Sequence, residues 1–312
     1  MNNLIKLLIG KKHVQPLTFT AVQANSTVKL NVVGSLTLST IKYNVGSGWL
    51  PYTINTTITL TNIGDKVQFK NTINSLSTDT SNYAFFEMTG EIAGSGNVQS
   101  LLNFSKNTFA YCFVYLFYNC SSLVTAPELP AKTLAANCYQ AMFRGCTSLE
   151  AAPELPASIL TYACYYEMFR GCTSLEAAPE LTATTLADSC YIGMFGYCSS
   201  LVTAPELPVT TLAPKCYWGM FSFCTALTKA PVLPATTLVA NCYYYMFNGC
   251  NHLTELNVGF TEWNDSIHAT DNWVNGVSAS GTFMKPPELT EEHSSSRIPI
   301  GWNVASYIDV KK

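Results

Sequence analysis

Charge is scarce in this chain. Lys, Arg, Asp and Glu make up 12% of its 312 residues, against roughly 25% in ordinary soluble domains. No basic run is long enough to build a patch, so the sequence argues against a nucleic-acid partner, and a solvating acidic tail is excluded on the same ground. Long apolar runs are missing as well. Nothing approaches the roughly 20 residues of a spanning helix, so no membrane span is expected. The best candidate for an export signal, Leu4–Gly10, is short and interrupted by Lys6, and Lys11 and Lys12 follow it. A secretory signal carries its basic residues first, so none is read here.

Chemistry-bearing motifs are also lacking. No nucleophile elbow, phosphate loop or pair of catalytic acids is found. His13, His252, His268 and His293 share no sequence context, and only His252 lies near the cysteines, whose C-x7-C spacing is not that of a zinc site. The chain is therefore expected to be no enzyme, with no cofactor and no metal.

What is present is a repeat. Cys120, Cys146, Cys172, Cys198, Cys224 and Cys250 stand 26 residues apart, and Cys112, Cys138, Cys164, Cys190, Cys216 and Cys242 keep the same period. All twelve cysteines fall in these two columns. The unit reads C-Y-x-x-M-F-x-G-C-T-S-L-x-x-A-P-E-L-P-A-T-T-L-A-x-x. Leu134, Cys138 and Met142 recur at i, i+4 and i+8, beside the pair Tyr139 and Phe143, which predicts the apolar stripe of a short helix ended by Gly145. After Cys146, the run Leu149-Glu-Ala-Ala152-Pro153 predicts a very short strand that stops at its proline. Cys138, Met142, Cys146, Leu149 and Pro153 thus define the structural columns. One unit cannot bury its apolar face, but stacked neighbours can. The expected class is α+β: a leucine-rich-repeat-like solenoid of six 26-residue coils preceded by a small antiparallel β-sandwich or open barrel.

The M-F-x-G-C-T-S-L core resembles the BspA-like leucine-rich repeats of bacterial surface proteins, above all the sub-family whose unit carries M-F-x-x-C-x-x-L. The resemblance covers roughly residues 108–260. It implies a right-handed solenoid, surface display and adhesion to host proteins or glycans. The Ala-Pro pairs at 126–127, 152–153, 178–179, 204–205 and 230–231 depart from the family pattern and argue against a long parallel sheet.

The flanks read differently. Leu17–Ala21, Thr27–Leu30, Thr57–Leu60 and Lys66–Phe69 alternate with period two between turn signals, so residues 1–96 are expected to form the β domain, with an extended or flexible start over 1–16. The solenoid follows over 97–260. A degenerate coil and cap occupies 261–312, where Trp263, Trp273 and Trp302 cover the exposed core or form a binding site.

Three features compete for function. The cysteines read as small buried groups with free thiols, although stacking at about 4.8 Å would permit disulfides. Glu128, Glu154, Glu180 and Glu206 form a like-charged column, either solvated or answered by a cation or a basic partner. The two positions after Cys-Tyr change from coil to coil and carry Tyr166, Trp218, Tyr244 and Tyr245; these aromatics are displayed outward or packed between coils. The expected function is a non-enzymatic adhesion module that binds a host protein or a glycan, extracellular or on the cell surface. The missing export signal makes a phage virion or tail receptor-binding component the alternative, and a carbohydrate-active enzyme the third reading. Oligomeric state is not legible.

Overall fold

The computed structural model describes residues 15–73, 75–105 and 107–306; Leu4–Gly10, His13 and most of the expected extended start lie outside the described residues. Thr-, Val- and Phe-rich segments alternate inward and outward in the N-terminal part, as half-buried strands must. They form β1 (Leu17–Ala21), β2 (Ser26–Val33), β3 (Lys42–Asn44), β4 (Leu50–Pro51), β5 (Thr57–Leu60), β6 (Lys66–Lys70), β7 (Tyr83–Thr89) and β8 (Ile92–Ser95). One sheet runs β5-β2-β7. The other runs β4-β3-β6-β1-β8 and takes in β9 (Leu123–Thr125) of the first repeat as its last strand. Neither closes on itself. Phe19 and Phe69 of the larger sheet meet Phe86 of the smaller one at ring-centroid distances of 4.9 and 5.2 Å, so the core lies between the sheets.

Gly94-Ser95-Gly96-Asn97, at the end of the β region, ties it to the repeats. β8 pairs parallel with β9, and a side chain at Gly94 would meet the Thr125 carbonyl at 2.7 Å, which leaves room for hydrogen only. Val98–Leu102 follow as a fully buried 3-10 turn.

The repeats contain almost no helix, which corrects the expected α-helical stripe. Alternate N–H groups point in different directions. Those of Gln140, Met142 and Arg144 donate three residues back, to Asn137, Tyr139 and Ala141. Those of Tyr139, Ala141 and Phe143 donate sideways, to the carbonyls of Cys164, Tyr166 and Met168 in the next unit, at 3.1, 2.7 and 2.9 Å. An α-helix would direct all of them to the residue four back. The alternation needs a left-handed residue at every fourth position: Asn137, Ala141 and Gly145 have φ of +55°, +50° and +77°. The apolar spacing of four is therefore the period of a ribbon of turns. A free helix of nine or ten residues is marginal in water, whereas this ribbon satisfies every second N–H from a neighbouring unit and repeats without limit.

Strands are equally curtailed. Between the proline-bearing units, pairing shrinks to single bridges such as Thr125 with Ala151 and Ala177 with Thr203. Where Asn257 replaces the proline, a proper parallel sheet returns: β10 (Glu255–Asn257), β11 (Thr282–Lys285) and β12 (Asn303–Ser306). Proline's missing N–H accounts for both halves of that contrast.

Side chains stack in columns along the units. Leu123, Leu149, Leu175, Leu201, Leu227 and Leu253 are fully buried. Phe117, Phe143, Phe169, Phe195, Phe221 and Phe247 stack ring on ring at 5.2–5.8 Å. Phe86 of β7 begins this column at 5.6 Å and Trp273 ends it, so one apolar core runs from the N-terminal sheets to the C-terminal end. Trp273 is wholly buried and Trp302 nearly so, the arrangement expected of cap residues.

All twelve cysteines are buried and free. The column from Cys120 to Cys250 also has a polar task. Cys146 Sγ donates to the Phe117 carbonyl at 3.0 Å and Cys172 Sγ to that of Phe143 at 3.2 Å, and the same contact recurs through Cys250, while Cys120 of the first unit donates to the Phe86 carbonyl of β7 instead. Each of the Phe carbonyls within the repeats already accepts an N–H from its own turn, so the thiol fills the second lone pair in a dry interior. Among the described residues no helix is long and apolar enough to cross a membrane.

Candidate functional site

The ribbon sets the same backbone at equivalent positions, so function has to be sought where side chains break the period. Two adjacent columns do so most. Counting each unit from its first cysteine, the first column runs Gln140, Tyr166, Ile192, Trp218, Tyr244 over units 2 to 6; the second runs Ala141, Glu167, Gly193, Gly219, Tyr245.

The glycines of the second column are informative because the backbone does not require them. At residues 141, 167, 193, 219 and 245 φ is +50°, +50°, +56°, +58° and +55°. Ala, Glu and Tyr hold that left-handed conformation in three units, at a cost of about 1 kcal/mol or more each, so Gly193 and Gly219 are not there for φ alone. Their effect is to remove a wall in two successive units. A side-chain carbon added at Gly219 would meet nothing closer than Ser222 Cβ at 3.9 Å, whereas one at Gly193 would come within 3.2 Å of Glu167 Cγ, so the open ground lies over Gly219 and the Glu167 side chain fills the space beside Gly193. The space left is a trough of about 460 Å³, within the range of small-ligand sites.

Its construction follows from the columns. Gly193 and Gly219 form the floor. Tyr166, Ile192 and Trp218, from the column just before the glycines, and Tyr197 and Phe223, from the column four residues on, line the trough with them. Glu167 and Arg170 of unit 3 close one end, and Tyr245 and Asn248 of unit 6 the other. Three unit spacings make the trough about 14 Å long.

The aromatics are held by one another. Trp218 meets Tyr244 edge-on at 4.7 Å, and Tyr244 lies 4.5 Å from Tyr245. Tyr197 and Phe223 stack at 4.7 Å, with exposures of 43% and 40% that are high for such large rings. Tyr166, Trp218, Tyr244 and Tyr245 are half-buried. Outward display and packing between units coexist here: Trp218, Tyr244 and Tyr245 pack ring against ring, and Tyr166, Trp218 and Tyr245 line the trough.

At the charged end, Glu167 is ion-paired with Arg144 from unit 2 and with Arg170 at 3.6 Å, and the Arg170 guanidinium sits 4.4 Å over the Tyr197 ring. Burial, and then the nearby Glu167 carboxylate, push the Tyr166 phenol above its ordinary value, so it stays neutral at physiological pH and can both donate and accept. Ser222 and Asn248 are buried to all but 8% and 6% of their surface, and both reach the trough. Among the described residues neither side chain has a hydrogen-bond partner. Their polar atoms are not fully buried, so they open onto the trough and can bond to water or to a ligand there.

Glu167, Arg170, Tyr197, Ser222, Phe223 and Asn248 were not singled out from sequence. The one available signal was Gly193 and Gly219, standing where neighbouring units carry larger residues. The acidic column lies elsewhere. Glu128, Glu154, Glu180 and Glu206 are all exposed, and none lines the trough; Glu128 and Glu154 border a hollow of about 580 Å³ with Pro127 and Pro153. The four acids and the aromatics are therefore not one site. Near the C-terminus, His268 Nδ1 lies 2.8 Å from Asp271, and Arg297 pairs with Asp265 and Glu292 while covering the Trp263 ring. Among the described residues no three His, Cys, Asp or Glu are grouped to hold a metal. No protein-family model matches the chain, and neither a curated protein nor a solved structure is similar to it.

Proposed function

We propose that the chain is a non-enzymatic binding and adhesion module, in which a leucine-rich-repeat-like solenoid of the BspA-like type presents a ligand trough across units 3 to 6. One observation carries this reading: the period breaks in the same place in consecutive units, and the breaks combine into a single concavity lined by aromatic rings and by the polar side chains of Ser222 and Asn248. The continuous columns, in which every unit bonds to the next, support the solenoid form. Binding is favoured over turnover because Glu167 is the one carboxylate lining the trough, and two arginines hold it. Paired acid chemistry needs two carboxyl groups in different environments. The ligand belongs to a host protein or glycan met outside the producing cell, as the BspA-like resemblance implies.

An array of extracellular-matrix proteins and glycans, probed with wild type and with Trp218→Ala combined with Tyr245→Ala, tests this. Losing two aromatic anchors is expected to weaken the wild-type signals by a hundred-fold or more, taking roughly 1.5–3 kcal/mol for each buried aromatic. Unchanged signals would remove the trough from the binding surface.

A further inference from the structure

The trough's chemistry narrows the ligand class. We propose that it is a saccharide subsite, which takes one or two uncharged sugar rings laid over Gly219, with the Glu167 end as its border; this rests on the trough being the binding site at all. Three observations point the same way.

The first is the backbone. A bound peptide usually recruits free N–H and C=O groups by adding a strand to an open edge. Here the N–H groups of Gly193, Gly219, Tyr197 and Phe223 already donate to Trp218, Tyr244, Ser222 and Asn248 of the next unit, and those of Gly196 and Ser222 donate within their own turns. No edge is left, so recognition has to run through side chains.

The second is the balance of those side chains. The Ser222 hydroxyl and the Asn248 carboxamide each offer a donor and an acceptor, as does the Tyr166 phenol, while the Tyr245 phenol already accepts from Asn272 Nδ2 at 3.4 Å and keeps its O–H to donate. A proline-rich segment presents only acceptors on its backbone. A sugar hydroxyl both gives and takes, and so matches the mixture. Ser222 and Asn248 are largely buried as residues, but their polar atoms stay open to the trough and have no hydrogen-bond partner among the described residues, so water or a ligand can take their hydrogen bonds.

The third is shape and charge. Aromatic rings in the lining and the open, side-chain-free ground over Gly219 suit a flat, partly apolar body, and the C–H faces of a pyranose have that character. The volume of about 460 Å³ suits one or two rings. At the Glu167 end one carboxylate is shared by Arg144 and Arg170, so the only charge in the slot is a single positive excess confined to that end, and the stretch over Gly219 is uncharged.

The full-length protein, titrated with neutral disaccharides built from glucose, galactose, mannose and N-acetylglucosamine and, separately, with a proline-rich peptide, decides the matter. Calorimetry reads affinity, and quenching of indole emission lost in Trp218→Phe places the site. At least one disaccharide is expected to bind saturably. Asn248→Ala should weaken that binding about ten-fold, the value of roughly one hydrogen bond to a buried group, and Ser222→Ala should act in the same direction. Gly219→Tyr, which refills the slot, should abolish it. If the peptide binds in a Gly219→Tyr-sensitive way and no sugar does, the saccharide assignment is overturned while the trough remains the site. If neither binds, or if sugar binding ignores Gly219→Tyr, both readings fall.

Discussion

Raising the pH of a reduced solution from about 8 to about 10 is expected to unfold the protein cooperatively, because the unfolded chain gains ionised thiols that the folded chain cannot hold. Burial pushes Cys112, Cys164, Cys198 and Cys250 up to about 12 and Cys242 to about 11, and raises the other seven as well. A free cysteine ionises near 8.5. Between the two values the unfolded state has lost a proton that the folded state retains, so stability is full below the unfolded value and falls as pH rises through the window. Each thiol costs about 1.4 kcal/mol per pH unit there, and twelve together cost on the order of 16. Against a typical stability of about 5–15 kcal/mol, the transition should fall between about pH 9 and pH 10. Circular dichroism and thiolate absorbance, followed together, should change in one step that releases close to twelve protons. A native spectrum that persists to pH 10.5, or thiolate signal that grows without unfolding, would contradict the buried-thiol account.

Phe195→Ala is the mutation with the largest expected cost to the stack. The ring is wholly buried and lies 5.8 Å from both Phe169 and Phe221, with planes within 7° of parallel. Removing it leaves a cavity in the middle of the column, worth roughly 3–5 kcal/mol. Units interact mainly with their neighbours, so the damage should be local. Units 1 to 3 stay fastened to the N-terminal sheets through Phe86 and Phe117, and unit 6 stays fastened to Trp273. Urea unfolding is expected to split into two transitions, whereas Tyr162→Ala, at a ring that is 56% exposed, should leave one near-native curve. A single transition with a small shift in the Phe195 variant would show that the column is not continuous.

The periodicity made much of the fold legible. The two cysteine columns, the leucine column and the Ala-Pro strand ends are visible as a 26-residue recurrence, and the structure buries or curtails them as the pattern requires. The helix was misread for a physical reason. A spacing of four residues fits both a 3.6-residue helix and a four-residue turn over a span as short as Leu134 to Cys146, and drift separates them only over longer stretches. Asn137, Gly145, Asn241 and Gly249 were the usable hint, since these residue types tolerate a left-handed backbone; Ala141 and Glu167 hid it by adopting positive φ without favouring it. Tyr166, Trp218 and Tyr245 were readable as site residues because they vary between units. Their partners Tyr197, Ser222, Phe223 and Asn248 were not, because adjacency between columns depends on the turn geometry that the helix reading replaced.

The central claim is that two glycines the backbone does not require open a binding trough, and the substitution that closes it tests this most directly. Gly219→Tyr places the residue found at equivalent positions 115 and 245, where φ is +58° and +55°, into open space at a φ of +58°. Array binding and thermal unfolding should be measured side by side on wild type and variant. The account predicts a melting curve close to wild type together with loss of the array signals by at least about ten-fold, equal to some 1.4 kcal/mol. Equal binding in a folded Gly219→Tyr variant would contradict it.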